Sequence, residues 1–354
     1  MNERVEKQEY IFLDFVKFIC AVCVIYIHIP ALSELSPEAS FWLRDYLCRL
    51  AVPMFFLASG YFLSTKFENR EKTIVYIKRI AAMYTGFTII YLPIIIYGYR
   101  NNLTSMKGVA VAVIDFVRNF LLLGSWVHFW YYTALISGVI ILYIMIKCLK
   151  IPIRTVIVIA MVLYIMGIVL TDHRDAIQSV PLIGKLTRIY FAIFDNTRNG
   201  LFVGLPFVSV GYYIGIRKHR IKTSGIIKVI ISILALSVML METIWKREFM
   251  GIQQFEFLLT SVPVSAILFV LVCSINVDKK YKTCGIYLRK MSGLIYGLHM
   301  LFLFYVRKVS GDFFGYTVSN MECFAIVVLL SLVTSCVLLY LYERKKVKAL
   351  GVII

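Results

Sequence analysis

Lys17 and His28 stand eleven positions apart in an otherwise apolar segment. On an α-helix that spacing returns to within about 20° of the same face after three turns, with the two side chains roughly 16 Å apart. Ionisable groups inside an apolar segment are costly to bury, and they mark pathways or reaction centres. An imidazole held there can take a proton from a hydroxyl. Asp14, three residues before Lys17, can pair with the ammonium and lower the cost of burying it.

Further groups fit the same chemistry. Ser292, Tyr296 and His299 are spaced by four and three residues, which puts a hydroxyl, a phenol and an imidazole on one helix face where they can orient the ring and fix its tautomer. His128 opens the run His128, Phe129, Trp130, Tyr131, Tyr132, which taken alone reads as an aromatic belt at a membrane surface. Arg49 precedes an apolar stretch in which Pro53 frees a backbone carbonyl and Gly60 permits close helix approach. Arg198 opens another apolar stretch, and Lys78 and Arg79 flank a third. A lone histidine in such a segment is commonly a polar link between helices. Three at one depth, accompanied by Arg49 and Arg198, point instead to a site.

The elements that must position these groups are membrane helices. The 354 residues are 60% hydrophobic and only 16% charged, whereas soluble domains average about 45–50% apolar and 25% charged. Stretches of about 20 apolar residues, long enough to cross a bilayer, fall at 10–30, 41–63, 76–97, 127–146, 153–170, 199–216, 226–244, 255–275, 285–305 and 321–342. The fold class is therefore all-α, a polytopic bundle of about ten spans and a single unit over 1–354. The stretch at 109–123 carries Asp115 and Arg118 and is short for a span, so it reads as an interfacial or re-entrant helix.

Loop charges give the orientation. On one side of the ten spans the flanks hold 24 Lys and Arg, among them Lys78 and Arg79, against 11 on the other. By the positive-inside rule both termini are cytoplasmic, and His28, His128, His299, Arg49 and Arg198 then share the outer half. The net charge of +18 sits in membrane-flanking loops, where topology and anionic lipid account for it, so nucleic acid is not an expected partner. No secretory signal is evident, and the first span is expected to remain in the mature protein. Eight scattered cysteines suggest neither a disulfide framework nor a zinc site.

At these residues the chain resembles the acyltransferase family 3 membrane proteins. The Asp14, Lys17 and His28 pattern is similar to that family's first-helix motif, and residues 49–61, RLAVPMFFLASGY, to its second-helix signature. His128 to Trp130, the RNGLF run from Arg198, and the Ser292, Tyr296, His299 set resemble three further segments, in order over nearly the whole chain. Two departures stand out: many members carry Arg where this chain has Lys17, and the paired arginines many show after the second span appear only as Lys78 and Arg79.

The resemblance implies a bacterial, multi-pass cell-membrane enzyme. It would move an acyl group, acetyl or succinyl, from cytoplasmic acyl-CoA to a hydroxyl of an extracytoplasmic glycan or other envelope molecule. His28 is then the general base, with Arg49 and His299 completing the catalytic set. Lys17, Lys78 and Arg79 would hold the donor, while Asp14, His128, Trp130, Arg198, Ser292 and Tyr296 support the site or the substrate. No metal and no permanently bound cofactor is implied, acyl-CoA being a co-substrate, and the oligomeric state, a homo-oligomer included, stays open. The alternative is a transport or sensing domain like the membrane half of serine racemases linked to glycopeptide resistance; a structural subunit of a polysaccharide export complex is a third. The chain ends shortly after the last span with no racemase domain following, which favours the enzyme.

Overall fold

The computed structural model describes residues 10–218, 223–252, 256–345 and 347–354. Arg4, Lys7, Arg220, Lys222 and Lys346, counted above among the loop charges, lie outside the described residues, as does position 255, where the eighth span was expected to begin. No strand occurs among the described residues. This is the outcome lipid imposes, since a helix satisfies its backbone hydrogen bonds within one segment.

Twelve helices carry the architecture: α1 (Ile11–His28), α2 (Pro37–Leu63), α3 (Arg70–Tyr99), α4 (Met106–Arg118), α5 (Trp130–Cys148), α6 (Ile153–Asp172), α7 (Pro181–Phe194), α8 (Gly200–Arg217), α9 (Gly225–Glu248), α10 (Ser261–Ser274), α11 (Lys282–Phe314) and α12 (Asn320–Lys345). Among the described residues eight of them, α1, α2, α3, α5, α6, α8, α9 and α12, are long and apolar enough to cross a membrane. The expected eighth and ninth spans are α10 and α11, which meet at 110° across a short break. With 14 residues α10 rises only about 21 Å, short of a hydrocarbon core of about 30 Å. Two helices lie outside the bundle core. The stretch at 109–123 becomes α4 and a following π-helical turn, with Val113, Ile114 and Val117 exposed. A second helix of the same kind, α7, exposes Leu182, Ile183 and Leu186 and was not foreseen.

Pairwise contacts set the helix directions. Gly285 lies against Ile11, Arg289 pairs with Asp14, and His299 faces His28, so α1 and α11 run parallel. Tyr91 bonds the Gly297 carbonyl and Tyr97 meets Lys308, so α3 runs with them. The contacts Phe56 with Tyr131 and Phe67 with Tyr143 make α2 and α5 parallel, and Phe56 with Phe207 and Phe67 with Tyr212 add α8. Between the two sets the sense reverses, because Tyr10 bonds Tyr61 while Tyr26 bonds Ser40. Among these six helices the odd and even expected spans therefore run in opposite senses, as the loop charges demand.

The α2–α8 seam is close-packed. A Cβ on Gly60 would stand 2.2 Å from the Val208 carbonyl oxygen, and one on Gly211 would stand 2.2 Å from that of Leu57. Only glycine at both positions lets the two backbones touch.

Candidate active site

Each of the three buried-segment histidines is delivered to one level by a different local device. Pro30 disfavours helical backbone at Ile29, whose φ of −134° ends α1 and leaves His28 at its tip. His128 sits in the turn ahead of α5, which begins at Trp130 and not at position 127. That turn opens on Gly124 at φ +95°, a backbone state L side chains rarely take. Two α3 side chains hold it: the Tyr84 hydroxyl accepts from the Ser125 N–H at 2.8 Å, and Thr88 bonds the Ser125 hydroxyl at 2.7 Å. On α11, the Tyr91 hydroxyl donates to the Gly297 carbonyl at 2.9 Å and accepts from the Leu301 N–H at 2.8 Å, clamping the turn that carries His299.

The rings form a chain. His28 and His299 have centres 5.4 Å apart, and His299 and His128 have centres 4.8 Å apart. His299 Nδ1 lies 2.8 Å from the Tyr296 carbonyl oxygen and 3.1 Å from that of Ile295. Carbonyl oxygens only accept, so Nδ1 carries the proton and the neutral ring keeps its lone pair on Nε2. That Nε2 is buried and has no hydrogen-bond partner. The tautomer is thus set by backbone carbonyls of α11 itself. It is not set by the hydroxyls of Ser292 and Tyr296, as their shared face suggested: Ser292 Oγ donates to the Arg289 carbonyl at 2.7 Å, and Tyr296 OH donates to the carbonyl of His128.

A cavity of about 100 Å³ opens beside this chain, lined by His28, His128 and Tyr296, with His299 packed behind them. Two guanidiniums complete its wall. In α2 the chain passes through a π-helical segment, Trp42–Leu47, and a tight turn, Cys48–Leu50, before resuming as α-helix at Ala51. Pro53 has no N–H for the carbonyl of Arg49 four residues earlier, and the break falls there. Arg49 Nη2 is held 2.9 Å from Asp45 Oδ1, a fully buried carboxylate that Arg44 also pairs, while Arg49 Nε is buried and unpartnered at the cavity.

Arg198 reaches the opposite side. Asn199 caps α8 by accepting from the Leu201 and Phe202 N–H groups, and Gly200 lies so close to Ser137 that a Cβ would stand 2.0 Å from its hydroxyl oxygen. The RNGLF run is therefore a seating device for Arg198 against α5. Beside it, burial pushes the Tyr190 phenol up to about 12, so it stays protonated and keeps donating to the Asn196 carbonyl. Arg198 Nε is 3.9 Å from Glu256 Oε1, and its Cζ is 5.8 Å from the centre of the Trp130 ring. Glu256 Oε2 is buried without a partner at the same cavity.

Of the residues singled out by sequence, His28, His128, Tyr296, Arg49, Arg198 and Trp130 meet at one cavity, with His299 directly behind. The aromatic-belt reading of His128 fails: its side chain is 1% exposed and Phe129 0%, so the segment faces the bundle interior and not the lipid headgroups. Asp14 forms its ion pair with Arg289 at 3.3 Å and not with Lys17. Lys17 is half-buried on α1, and Lys78 and Arg79 are exposed on α3. The latter two stand roughly 20 Å along that helix from Tyr91.

Sequence reasoning missed Glu256, Tyr164 and Ser261, which line the same cavity. Tyr164 OH donates to the Leu258 carbonyl at 2.7 Å, and Glu242 accepts from the N–H of Thr260 at 2.8 Å, so α6 and α9 hold the segment that carries Glu256. Spacing gave no sign of it. By contrast Asp45, four residues before Arg49, was within reach of the i, i+4 rule.

A multi-pass helical membrane protein with histidines and arginines converging on an internal cavity is the class that fold and site define. The family model described as an acyltransferase domain matches residues 10–341, and the chain belongs to acyltransferase family 3. Among curated proteins it is similar to an amino-acid racemase of Enterococcus faecalis, 23% identical over 95% of this chain and 47% of the relative. A second amino-acid racemase of E. faecalis is 28% identical over 63% of this chain and 30% of that protein, and a serine/alanine racemase of Enterococcus gallinarum is 28% identical over 60% and 30%. The chain spans less than half the length of these relatives. No solved structure matches it significantly.

Proposed function

We propose that this acyltransferase moves a small acyl group from cytoplasmic acyl-CoA to a hydroxyl of an extracytoplasmic glycan, with His28 as general base. The observation that carries the reading is the cavity itself, where an imidazole line and two arginines surround a space of about 100 Å³. That volume is below the roughly 300–1,000 Å³ of sites enclosing a whole small molecule. It suits a thioester carbonyl with a short acyl chain and one incoming hydroxyl.

The chemistry follows from the groups present. The acceptor oxygen attacks the thioester carbon as His28 takes its proton, forming the new C–O bond and a tetrahedral oxyanion. Arg49 and Arg198 supply positive charge to that oxygen. Collapse breaks the C–S bond, and the CoA thiolate leaves with the proton that His28 returns. His299 is a positioning residue, its proton fixed on Nδ1 and its ring packed against His28. Lys17 lies on the His28 face of α1 toward the end where α3 carries Lys78 and Arg79. A donor whose phosphates rest at that end would thread a pantetheine arm along this line. The bilayer is the protein's solvent, the basic end and both termini lie in the cytoplasm, and no metal enters the scheme.

The test is incubation of purified protein with radiolabelled acetyl- or succinyl-CoA and crude envelope glycan. Label should pass to the glycan with the wild-type protein and not with His28→Ala. A second reading, movement of an amino acid across the membrane, draws on the relatives named racemases and on the carboxylate of Glu256 facing two arginines. Amino-acid flux into proteoliposomes without label transfer would replace the enzyme by this transporter.

A further inference from the structure

The segment that follows α12 folds back onto the bundle. Residues 347–354 carry five large apolar side chains, Val347, Leu350, Val352, Ile353 and Ile354, and no acidic one. Lys348–Val352 form a 3₁₀ turn that reaches from α12 across to α3. At the α12 side Gly351 lies against Tyr342, where an added Cβ would stand 3.3 Å from Cε2. At the α3 side a Cβ on Gly86 would stand 2.9 Å from Ile353 Cγ2 and 3.2 Å from Val352 Cγ1. Ile353 is 7% exposed and belongs to the same apolar core as Tyr84 and Phe87 of α3, with Leu350 and Ile354 packed against that core. A mere lipid anchor would leave that side chain facing outward.

The place of the contact on α3 gives it meaning. Gly86 is seven residues beyond Arg79, so the two share one stripe of the helix to within about 20° and stand roughly 10 Å apart along it. From the level of Phe87 outward α3 meets α11, since the Phe87 ring lies against Gly297, Tyr91 bonds the Gly297 carbonyl and Tyr97 meets Lys308. Toward the basic end, the neighbour on the Gly86 flank is the segment after α12. Its anchor is tied to α11 as well: Lys290 pairs with Glu343 at 3.1 Å and lies 5.5 Å from the centre of the Tyr342 ring, one residue from the Arg289 that pairs with Asp14. The segment therefore crosses the basic end between the helix of Arg79 and the helices of Lys17 and Arg289. Its own backbone bonds are internal, Leu350 to Val347 and Ile353 and Ile354 to Leu350. A single 3₁₀ turn has little stability of its own, so apolar side-chain contact holds the seat.

We infer that residues 347–354 are a strap over the donor entrance. Seated, it covers the Arg79 stripe of α3, and the pantetheine arm of acyl-CoA displaces it on the way to His28. The inference rests on the donor reading above and adds a gate to it.

The experiment locks the seat. Gly86→Cys combined with Ile353→Cys sets two thiols at the contact, and the second substitution removes the methyl that a Cβ at 86 would crowd. The full chain is oxidised with copper phenanthroline in detergent, the bridge is scored by intact mass, and Ile353→Cys alone is the control for the eight native cysteines. Binding of radiolabelled acetyl- and succinyl-CoA is then measured. The bridged protein should bind at least tenfold more weakly than its reduced form, and dithiothreitol should restore the affinity. Ile353→Asp, which puts a charge into the apolar seat and opens it, should lower Kd at least threefold. Equal Kd in bridged and reduced protein, or an unchanged Kd in Ile353→Asp, overturns the strap and leaves the donor reading standing. A wild type that binds neither donor removes the donor reading and the strap with it.

Discussion

His299 is the residue whose role the structure sharpens most. Read from its helix face it belongs with Ser292 and Tyr296, yet both hydroxyls are spent on backbone carbonyls, and its own Nδ1 proton goes to carbonyls of its own helix. What remains is an unpartnered Nε2 behind His28 and His128. His28, by contrast, lines the cavity. On that geometry His28→Ala should lower kcat by about 10²–10⁴, the usual worth of a general base. Donor affinity, measured as acyl-CoA binding to the detergent-solubilised variant, should hold. Arg49 predicts differently. Asp45 keeps Arg44 as a partner at 2.7 Å, so Arg49→Met should fold while losing about 10²–10³ in kcat, the cost of removing an oxyanion donor. Loss of helical circular dichroism in Arg49→Met, in place of lost turnover, would assign the arginine to folding. The common depth of the three histidines was legible in the sequence because helix rise is regular. The identity of the opposing carboxylate was not, because Glu256 lies in a segment placed by tertiary contacts from α6 and α9.

At the scale of elements, what was legible was periodicity and what was hidden was anchoring. Apolar length found the long helices and α10, the latter as a longer stretch at 255–275, while α7 escaped because an amphipathic helix carries no 20-residue apolar signature. Lys246 shows the hidden part. Counted as an ordinary loop charge, it is 4% exposed near the end of α9, 2.5 Å from Asp172 on α6 and 2.9 Å from the Phe257 carbonyl. It ties two helices to the segment that bears Glu256. Removing one partner of a buried ion pair strands the other charge, so Lys246→Met should cost about 3–5 kcal/mol, seen as a lowered melting temperature in detergent. Replacing both, Lys246→Met with Asp172→Leu, should recover most of that stability, since no charge is then left unpaired. The double variant keeps neither the ammonium bond to Phe257 nor its hold on the Glu256 segment. Turnover should therefore stay low after stability returns, separating the pair's structural worth from its positioning one.

For the whole molecule, the relative directions of the helices follow from contacts, and the absolute orientation follows from charge. The parallel set α1, α3 and α11 and the opposed set α2, α5 and α8 fix which ends lie together: Asp14, Lys78 and Arg289 at one, His28, Tyr97 and Lys308 at the other. The basic excess at the first end then predicts that this end is cytoplasmic. Two native cysteines report on this directly. Cys148 ends α5 beside Lys147, Cys284 lies near the start of α11, and both are exposed at the basic end. A membrane-impermeant maleimide added to intact cells should leave both unmodified and should label them once the cells are permeabilised. Asn102→Cys, exposed in the turn after α3 at the opposite end, should label from outside in the same cells. The reverse pattern would turn the bundle over, putting the reaction cavity and His28 nearer the cytoplasmic side. An acceptor beyond the membrane would then be out of reach, and the donor and acceptor ends would have to exchange. Because the helix directions come from side-chain pairings independent of loop charge, such a result would leave the fold intact and change only which substrate meets which mouth.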